Sequence, residues 1–272
     1  MKLAILTPLT PQHAAFLHEA ARSVRAVRRR LADVDCSVRW LAIADWHLTP
    51  DEAKSIGREL RFGGGELLML SARRGPGPAR SAGLRAALGS DLVMPLDADD
   101  VLLPGGVSAM LSAIYADPSM DWVAARRRVE EINPVSGKLR RYDPDGRAKR
   151  TCWEPGELET RWSRPFPFPP KVVMSRRSAA LATAGWGEGV ADELGWILEL
   201  AGESRGCSLT VPALLYRRWS GGKSAQADYP RLLAEAERKI ADRRNRRRQR
   251  LGLGRISPPA GLNNGKSPAS SK

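Results

Sequence analysis

The sequence predicts an α/β fold in which a mostly parallel central sheet is flanked by helices. Within the first hundred residues, short apolar runs alternate four times with segments of helical periodicity. Acidic residues follow the second and fourth runs, at the strand ends where ligands bind in parallel sheets. The length of 272 residues and the apolar share of 42% suit one sizeable core.

The elements of the first half follow from this alternation. The first apolar run, residues 2–7, stops at Pro8, and residues 14–31 repeat Ala, Leu and Val at helical spacing. A helix is expected from Pro50, because proline suits the first turn and the acids behind it favour a helix N-terminus. The other predicted elements are strand 38–44, helix 50–60, strand 66–71, helix 79–88 and strand 91–96.

The second half is predicted to be less regular, with a turn-rich segment before residue 170. Its expected elements are strands 122–133, 171–175 and 209–216 and helices 192–201 and 229–250. The C-terminal residues are rich in Ser, Pro, Gly and Asn, which predicts disorder. The expected organisation is a domain of residues 1–226, a basic helix within 227–255 and a disordered tail, 256–272.

The formal net charge of +14 is concentrated near the C-terminus. From Arg231 onward there are 12 Lys or Arg and 3 Asp or Glu, which leaves 32 and 27 in the first 230 residues. Such a segment favours polyanions, including nucleic acid and anionic lipid headgroups. Because it lacks interleaved aromatic residues, a solvated helix face is slightly preferred, and contact with an anionic surface is the alternative.

Cysteine usage and hydropathy indicate the compartment. Cys36, Cys152 and Cys207 are odd in number and form no Cys-x-x-Cys pair, so neither disulfides nor a zinc site is predicted. No stretch has the roughly eighteen apolar residues of a membrane helix, and the apolar N-terminus is too short for a signal segment. A cytoplasmic protein that could be peripheral to a membrane is expected, with no indication of its oligomeric state.

The most informative segment is Asp97-Ala-Asp99-Asp100, which directly follows the fourth predicted strand. Carboxylates this close repel one another, and a hard divalent cation such as Mn²⁺ or Mg²⁺ would neutralise them and a departing diphosphate. A solvated turn that caps the next helix is the simpler alternative. The pattern Asp97-x-Asp99-x-Val101 also fits haloacid-dehalogenase-like phosphatases, with Asp97 as nucleophile. That motif usually lies on the first strand, so this alternative is weaker.

Several segments, taken in order, resemble family 2 glycosyltransferases of the GT-A fold. The resemblance covers roughly residues 2–224 and depends on the order and spacing of its parts. Two positions depart from the family pattern, since Ser81 replaces a usual Asn and Trp219 stands where His is frequent. The segments are Leu6-Thr-Pro8, Ala42-Ile-Ala-Asp45, Gly77-Pro-Ala-Arg80-Ser81, Leu96-Asp-Ala-Asp-Asp100, Pro165-Phe-Pro-Phe-Pro-Pro-Lys171, Gly185-Trp186-Gly-Glu188 and Tyr216-Arg-Arg-Trp219.

The resemblance implies a Rossmann-like nucleotide-binding half and an acceptor-binding half. It implies an inverting, hexosyltransferase-type reaction with a nucleoside-diphosphate sugar as donor and Mn²⁺ or Mg²⁺ as cofactor. The acceptor could be a glycan, a lipid-linked group, a protein or a nucleic acid. Asp45 would contact the base, Asp97 the ribose or diphosphate, and Asp99 with Asp100 the metal. Further nucleotide contacts are expected from Thr7, Pro8, Arg80 and Arg217.

A general base is predicted at Asp192-Glu193, which begins a helix directly after the Gly-Trp-Gly-Glu loop. The base would take the proton of the acceptor hydroxyl. The resemblance favours Glu193, with Asp192 as a competitor because the order of the two acids is reversed here. Adjacent helical side chains point about 100° apart, so the two are not expected to point at the same acceptor. Stabilisation of the helix N-terminus is the structural alternative.

Two other groups have both a functional and a structural interpretation. Arg80, near Gly75, Gly77 and a predicted helix start, could hold a diphosphate or could be an ordinary surface arginine. Aromatic residues before the second motif group could stack on a sugar or pack in the core. These aromatic residues are Trp153, Trp162, Phe166 and Phe168. A basic nucleic-acid-binding protein with an inactive α/β body is the remaining hypothesis for the whole chain.

Overall fold

The computed structural model describes residues 1–11, 16–132, 139–144, 150–162, 166–218 and 227–257. The strands are β1 (Lys2–Leu9), β2 (Ser37–Ala44), β3 (Gly65–Met69), β4 (Leu92–Pro95), β5 (Val101–Leu102), β6 (Trp122–Ile132), β7 (Leu139–Tyr142), β8 (Thr151–Trp153), β9 (Val173–Arg176) and β10 (Gly206–Arg218). The helices are α1 (Leu17–Ala32), α2 (Pro50–Gly63), α3 (Pro76–Ala86), α4 (Pro104–Ala116), α5 (Glu157–Thr160), α6 (Arg177–Ala182), α7 (Asp192–Glu203) and α8 (Tyr229–Arg250). Trp219 and most of the predicted disordered tail lie outside the described residues.

All ten strands join one sheet in the order β3-β2-β1-β4-β9-β6-β10-β5, with β7 beside β6 and β8 beside β10. The first four strands are parallel, because a helix crosses over after each of the first three. The later part is mixed, since β9 runs antiparallel to both β4 and β6 while β10 runs parallel to β6. The predicted α/β architecture is confirmed, and its mostly parallel character belongs to the N-terminal half.

Two apolar clusters pack on the two faces of the sheet. In β1, Leu3 and Ile5 belong to one cluster with α1, α2 and α4, and Ala4 and Leu6 belong to the other with α3 and α7. A strand buried on both faces needs a continuous apolar run, which explains why the sequence shows no alternation there. No helix within the described residues is both long and apolar enough to cross a membrane.

Local chemistry explains where the first elements begin and end. Strand β1 continues through Pro8 to Leu9 instead of stopping before the proline. Pairing with β4 ends at Leu6, so Pro8 has an aligned strand on the β2 side alone, and a proline is tolerated at such a position. Helix α2 starts with a capping box, in which Thr49 and Glu52 satisfy each other's backbone N–H groups.

The basic helix α8 is packed against the body of the protein. Its predicted limits are confirmed, and Ile240 and Ala241 are buried on the same face of the sheet as α7. Arg244 and Arg248 reach the buried Glu159 at 2.5 and 3.0 Å. The preferred prediction of a solvated helix face was therefore wrong for this side of the helix.

The aromatic residues of the irregular region belong mainly to the core. Trp153, Trp162 and Phe168 are buried, and Phe166 packs against Phe168 with ring centroids 5.0 Å apart. Phe168 also contacts Trp122 of β6 at 5.6 Å between centroids. Core packing is thus the interpretation that the structure supports, because rings enclosed in this way do not offer a face to a sugar.

Candidate active site

The two acidic groups singled out in the sequence meet around one buried arginine, Arg80 of α3, which is 2% exposed. Its Nη1 donates to Asp192 Oδ2 at 2.5 Å. Its Nη2 contacts Asp97 and lies 2.9 Å from Glu193 Oε1. With the neighbouring charged groups these residues form what we call the acidic centre, which comprises Arg80, Asp97, Asp99, Asp100, Lys171, Asp192 and Glu193.

The aspartate turn, residues 97–100, follows β4 after Leu96. Asp100 N donates to the Asp97 carbonyl oxygen at 3.0 Å, which closes the turn. The Asp100 side chain is fully buried, and burial raises the pKa of its carboxyl group to about 7. The possible ligand atoms of Asp97, Asp99 and Asp100 all lie within 4.8 Å of one another. The sequence prediction that these carboxylates cluster at a strand end is thereby met by the geometry.

Lys171 lies inside this cluster, although the sequence did not single it out. Its Nζ is 2.9 Å from Asp97 Oδ2 and 2.6 Å from Asp100 Oδ2, and it lies 4.2 Å from the centroid of the Tyr216 ring. Burial alone would lower the pKa of Lys171, but Asp100 and Asp97 hold it well above its usual value. The charged ammonium group of Lys171 therefore lies between the carboxylates of Asp97 and Asp100. Its position follows from the antiparallel pairing of β9 with β4, which local periodicity does not reveal.

Arg80 serves as the internal counter-ion of the centre. Burial opposes its charge, yet Glu193, Asp97 and Asp192 raise its pKa above the usual value. Lys171 and Arg80 in turn hold the pKa of Asp97 well below its usual range in spite of burial. The sequence predicted that Arg80 contacts a diphosphate. That contact stays a prediction, and in this structure the guanidinium contacts three carboxylates of the protein.

The acidic pair Asp192-Glu193 divides into two differently charged groups. Burial and the neighbouring charge of Glu193 raise the pKa of Asp192 well above its usual value. Burial would also raise the pKa of Glu193, but Arg80 outweighs it and the pKa is lowered. The two carboxyl groups are hydrogen-bonded to each other. These opposite shifts make Asp192 the more readily protonated member of the pair and Glu193 the more readily ionised one.

Both members of this pair contact the same guanidinium group, while the expectation that they do not point at the same acceptor stays a prediction. Each side chain contacts the Arg80 guanidinium, through Nη1 for Asp192 and Nη2 for Glu193. They lie in the first turn of α7, after Ala191 in the left-handed conformation, where the two side chains differ in length by one methylene. The rotation of about 100° per residue therefore does not separate their carboxyl groups.

Asp45 and Thr7 were predicted to contact the nucleotide. In this structure their side chains form hydrogen bonds with other groups of the protein. Asp45 is 2% exposed, and its Oδ2 accepts hydrogen bonds from the backbone N–H groups of Arg74 and Gly75 at 3.0 and 2.6 Å. Thr7 is fully buried, and its hydroxyl accepts from the indole N–H of Trp40 at 2.9 Å. The structure thus shows Asp45 fixing the segment before α3 and Thr7 joining two strands.

Arg217 of β10 braces the aspartate turn. Its backbone N–H donates to Asp100 Oδ1 at 3.1 Å, its Nε donates to the Asp99 carbonyl oxygen at 2.6 Å, and its Nη1 forms an ion pair with Glu19. Pro8, the other predicted contact near the strand ends, is buried within β1. Arg217 therefore lies at the predicted place, but its contacts hold the turn.

A close contact between α3 and the loop before α7 brings the two acidic groups together. Ser81, which replaces the usual Asn, donates to the Trp186 carbonyl oxygen at 3.1 Å and accepts from Trp186 N at 2.8 Å. A Cβ at Gly77 would overlap the Gly187 carbonyl oxygen and lie 2.9 Å from Asp192 Oδ2. Glycine at position 77 is thus required because α3 and the loop approach too closely for a side chain.

The aspartates fit a divalent metal ion. Carboxylate oxygens are the ligands that Mn²⁺ and Mg²⁺ prefer. Asp100 Oδ2 is buried without a hydrogen bond, although Lys171 Nζ is near it. The centre contains five carboxyl groups and two basic side chains, so the carboxyl groups outnumber the positive charges. A hard cation would balance the negative charge of those that are ionised.

Comparison with protein families identifies one match, and it includes the aspartate turn and Lys171. Residues 48–180 match the model described as Glycosyl transferase family 2. The matched segment ends before the acidic pair. No curated protein sequence matches the chain.

Solved structures extend the likeness over nearly the whole chain. The structure of S. aureus TarS 1-349 in complex with UDP has 15% identity and a TM-score of 0.58, and covers 92% of this chain and 72% of that one. The complex of the same protein with UDP-GlcNAc gives the same identity and TM-score. The mannosyltransferase PcManGT from Pyrobaculum calidifontis, in complex with GDP-Man and Mn²⁺, has 16% identity and a TM-score of 0.57, over 86% of this chain and 63% of that one. At such identities the likeness shows a shared fold.

Proposed function

We propose that this chain, which its family match and its GT-A fold support as a family 2 glycosyltransferase, moves a hexose from a nucleoside-diphosphate sugar to an acceptor hydroxyl. One observation carries the proposal. Arg80 contacts both Asp97, on the side predicted to hold the donor diphosphate, and the acidic pair predicted to activate the acceptor. Donor and acceptor chemistry would therefore meet at a single buried centre.

On the donor side, Asp99 and Asp100 would hold Mn²⁺ or Mg²⁺, which when bound neutralises charge on the leaving diphosphate. Arg217 keeps these two aspartates in place through its hydrogen bonds to the turn. Asp45 would act at the nucleotide end, by fixing the backbone of Arg74 and Gly75. Similar folds have been solved with UDP, UDP-GlcNAc and GDP-Man, which supports a nucleoside-diphosphate sugar as donor.

On the acceptor side, Glu193 would be the general base, because its lowered pKa keeps it ionised and it is the more exposed member of the pair, at 20% against 5% for Asp192. Glu193 would take the hydroxyl proton while the hydroxyl oxygen forms a bond to the anomeric carbon. The bond from that carbon to the diphosphate oxygen breaks, and its electrons leave with the diphosphate. A single displacement of this kind inverts the configuration.

The two alternative functions are less well supported. A phosphatase would need Asp97 as a nucleophile, but Arg80 and Lys171 contact both of its carboxylate oxygens, and the residue follows the fourth strand. A nucleic-acid-binding protein would need the basic helix for its ligand, but two of the α8 arginines pair with Glu159 inside the protein.

A thermal-shift panel of UDP, GDP, dTDP, CDP and ADP, each with and without Mn²⁺, tests the proposal. We expect one nucleotide to stabilise the protein when Mn²⁺ is present, because ligands that bind the native state raise its melting temperature. The matched donor sugars would then be assayed for nucleotide release and for the anomeric configuration of the product. The Asp99→Ala variant should lose both the metal-dependent shift and turnover. Full activity of this variant, or no shift with any nucleotide, would contradict the proposal.

A further inference from the structure

A groove of about 500 Å³ opens beside the acidic pair, and we call it the α8 groove. One wall is the loop of residues 187–191 with Asp192 and Gly195 of α7, and the other is the middle of α8. Asp192 is one of its lining residues, and it is bonded to Arg80 and to Glu193. A molecule in this groove would thus lie beside the residue that contacts Glu193, the proposed base.

Four of the eight arginines of α8 form two pairs with different surroundings. Arg244 and Arg248 point inward and are paired with Glu159 at 2.5 and 3.0 Å, which fixes the helix on the body of the protein. Arg243 and Arg246 are exposed and line the α8 groove. Within the described part of the chain, neither has a carboxylate or hydrogen-bond partner. The ion pairs of Arg244 and Arg248 fix α8 in the orientation that places Arg243 and Arg246 in the wall of the groove.

The other charged groups of the groove are already neutralised. Lys239 pairs with Glu235 at 2.7 Å, and Glu188 pairs with Arg74 at 2.6 Å. Positive charge from Arg243 and Arg246 is therefore in excess along this wall. Asp192, the remaining acidic residue of the lining, is paired with Arg80.

The groove also continues away from the acidic pair. Arg243 and Arg246 line a second cavity of about 400 Å³, together with Arg247 and Arg250. Arg243 lies against the bare backbone of α7, since a Cβ at Gly195 would be 3.1 Å from its Nη2. A basic track thus leads from Asp192 toward the C-terminal end of α8.

We propose that the α8 groove binds the acceptor, and that this acceptor carries a phosphate group beside the hydroxyl that reacts. The inference rests on the proposed function and adds the chemical class of the acceptor. Guanidinium groups bind phosphate oxygens through charge-assisted hydrogen bonds, and arginines three residues apart lie on one face of a helix. The concave groove between two helices, with Asp192 in its lining, suits a phosphate of the acceptor itself better than a flat membrane surface.

The test uses the full-length protein saturated with Mn²⁺ and with the nucleoside diphosphate that stabilises it, so that the donor site is filled. Binding of sorbitol 6-phosphate is compared with that of uncharged sorbitol by calorimetry. We expect the phosphate ester to bind, and the double variant R243Q/R246Q to weaken its binding at least about tenfold. The control R22Q/R238Q removes the same charge from exposed positions of α1 and α8 outside the groove, and should leave the affinity unchanged.

The outcomes separate this inference from the proposed function. If nucleotide and Mn²⁺ still stabilise R243Q/R246Q but sorbitol 6-phosphate binds no better than sorbitol, the inference is overturned and the proposed function remains. Equal loss of binding in R22Q/R238Q would also overturn it, because the effect would then be one of net charge. If no nucleotide stabilises the wild-type protein, the proposed function fails and the inference fails with it.

A second arm addresses a lipid headgroup as the source of the phosphate. The wild-type protein and R243Q/R246Q are sedimented with vesicles of phosphatidylglycerol and of phosphatidylcholine. We expect no difference between the two proteins. Binding to phosphatidylglycerol that requires Arg243 and Arg246 and displaces sorbitol 6-phosphate would overturn the assignment to an acceptor, and would identify the groove as a membrane contact.

Discussion

Two buried ion clusters in this protein have opposite compositions. The α8 cluster joins one carboxylate, Glu159, to Arg244 and Arg248 at hydrogen-bonding distances. The acidic centre groups five carboxylates with only two buried basic side chains, Arg80 and Lys171. Both clusters contain a buried arginine nitrogen without a hydrogen bond, but within the described residues only the acidic centre contains such a carboxylate oxygen.

Under the proposed function, this difference separates a cluster that fixes a helix from one that binds a ligand. In the α8 cluster each guanidinium meets a carboxylate oxygen, and the result is a fixed position for the helix. In the acidic centre, burial of carboxylates costs free energy, and five carboxyl groups share two basic side chains. The proposed metal ion would supply the positive charge that such a group of carboxylates favours.

The largest effect is expected from Arg80→Met, which would break the acidic centre. Three carboxylates would lose their common partner, so we expect turnover to fall more than about a thousandfold and the free energy of unfolding to fall by about 3–5 kcal/mol. Denaturant unfolding and donor turnover measure the two effects. Arg85→Met, on an exposed position of the same helix, is the matched control and should change neither. Normal turnover in the Arg80 variant would contradict its role at the centre.

The next effect is expected from Glu193→Gln, which keeps the shape of the side chain but removes the base. Turnover should fall by about two to four orders of magnitude, while nucleotide binding measured by thermal shift stays intact. Asp192→Asn is the comparison. It should reduce turnover less than Glu193→Gln does, because burial and Glu193 already favour the protonated form of Asp192. A larger loss in the Asn variant would reverse the assignment of the base.

Glu159→Gln tests whether the α8 cluster has a structural role. It leaves Arg244 and Arg248 buried without a carboxylate, so the free energy of unfolding should fall by about 3 kcal/mol. The nucleotide-dependent thermal shift should persist, because the α8 cluster lies outside the acidic centre. Glu157→Gln is the control, since Glu157 forms a partly exposed ion pair with Arg161 and should cost less than about 1 kcal/mol. Loss of nucleotide binding in the Glu159 variant would show that the clusters are coupled.

The smallest change in free energy is expected from Lys171→Met. This variant tests whether the acidic centre binds a cation. The Lys171 ammonium lies 2.6 Å from Oδ2 of Asp100, one of the two residues proposed to hold the metal, and 2.9 Å from Asp97 Oδ2. Its removal should therefore tighten Mn²⁺ binding by about tenfold in the absence of nucleotide, or about 1.4 kcal/mol. Titration of Mn²⁺ followed by electron paramagnetic resonance measures this directly. Unchanged or weaker Mn²⁺ binding would mean that Lys171 does not compete with the metal.

The sequence by itself determined the parallel first half, the limits of α8 and the carboxylates at two strand ends. These features depend on local periodicity and on the turn residues that follow each apolar run, as in β4 and the aspartate turn behind it. A buried strand needs apolar side chains wherever it lies in the sheet, so its pattern is visible without knowledge of its neighbours. The acidic pair at the start of α7 was visible for a similar reason, because its loop has a characteristic composition.

Only the tertiary structure decided how these groups pair. Lys171 meets Asp97 across 74 positions of the chain, Arg80 meets Asp192 across 112, and Arg244 meets Glu159 across 85. A charged side chain is compatible with solvent, with a ligand or with a buried partner, and its own neighbours in sequence do not distinguish these surroundings. The distinction arises when the sheet order brings distant segments together, because a buried charge must then be neutralised by whatever group lies beside it.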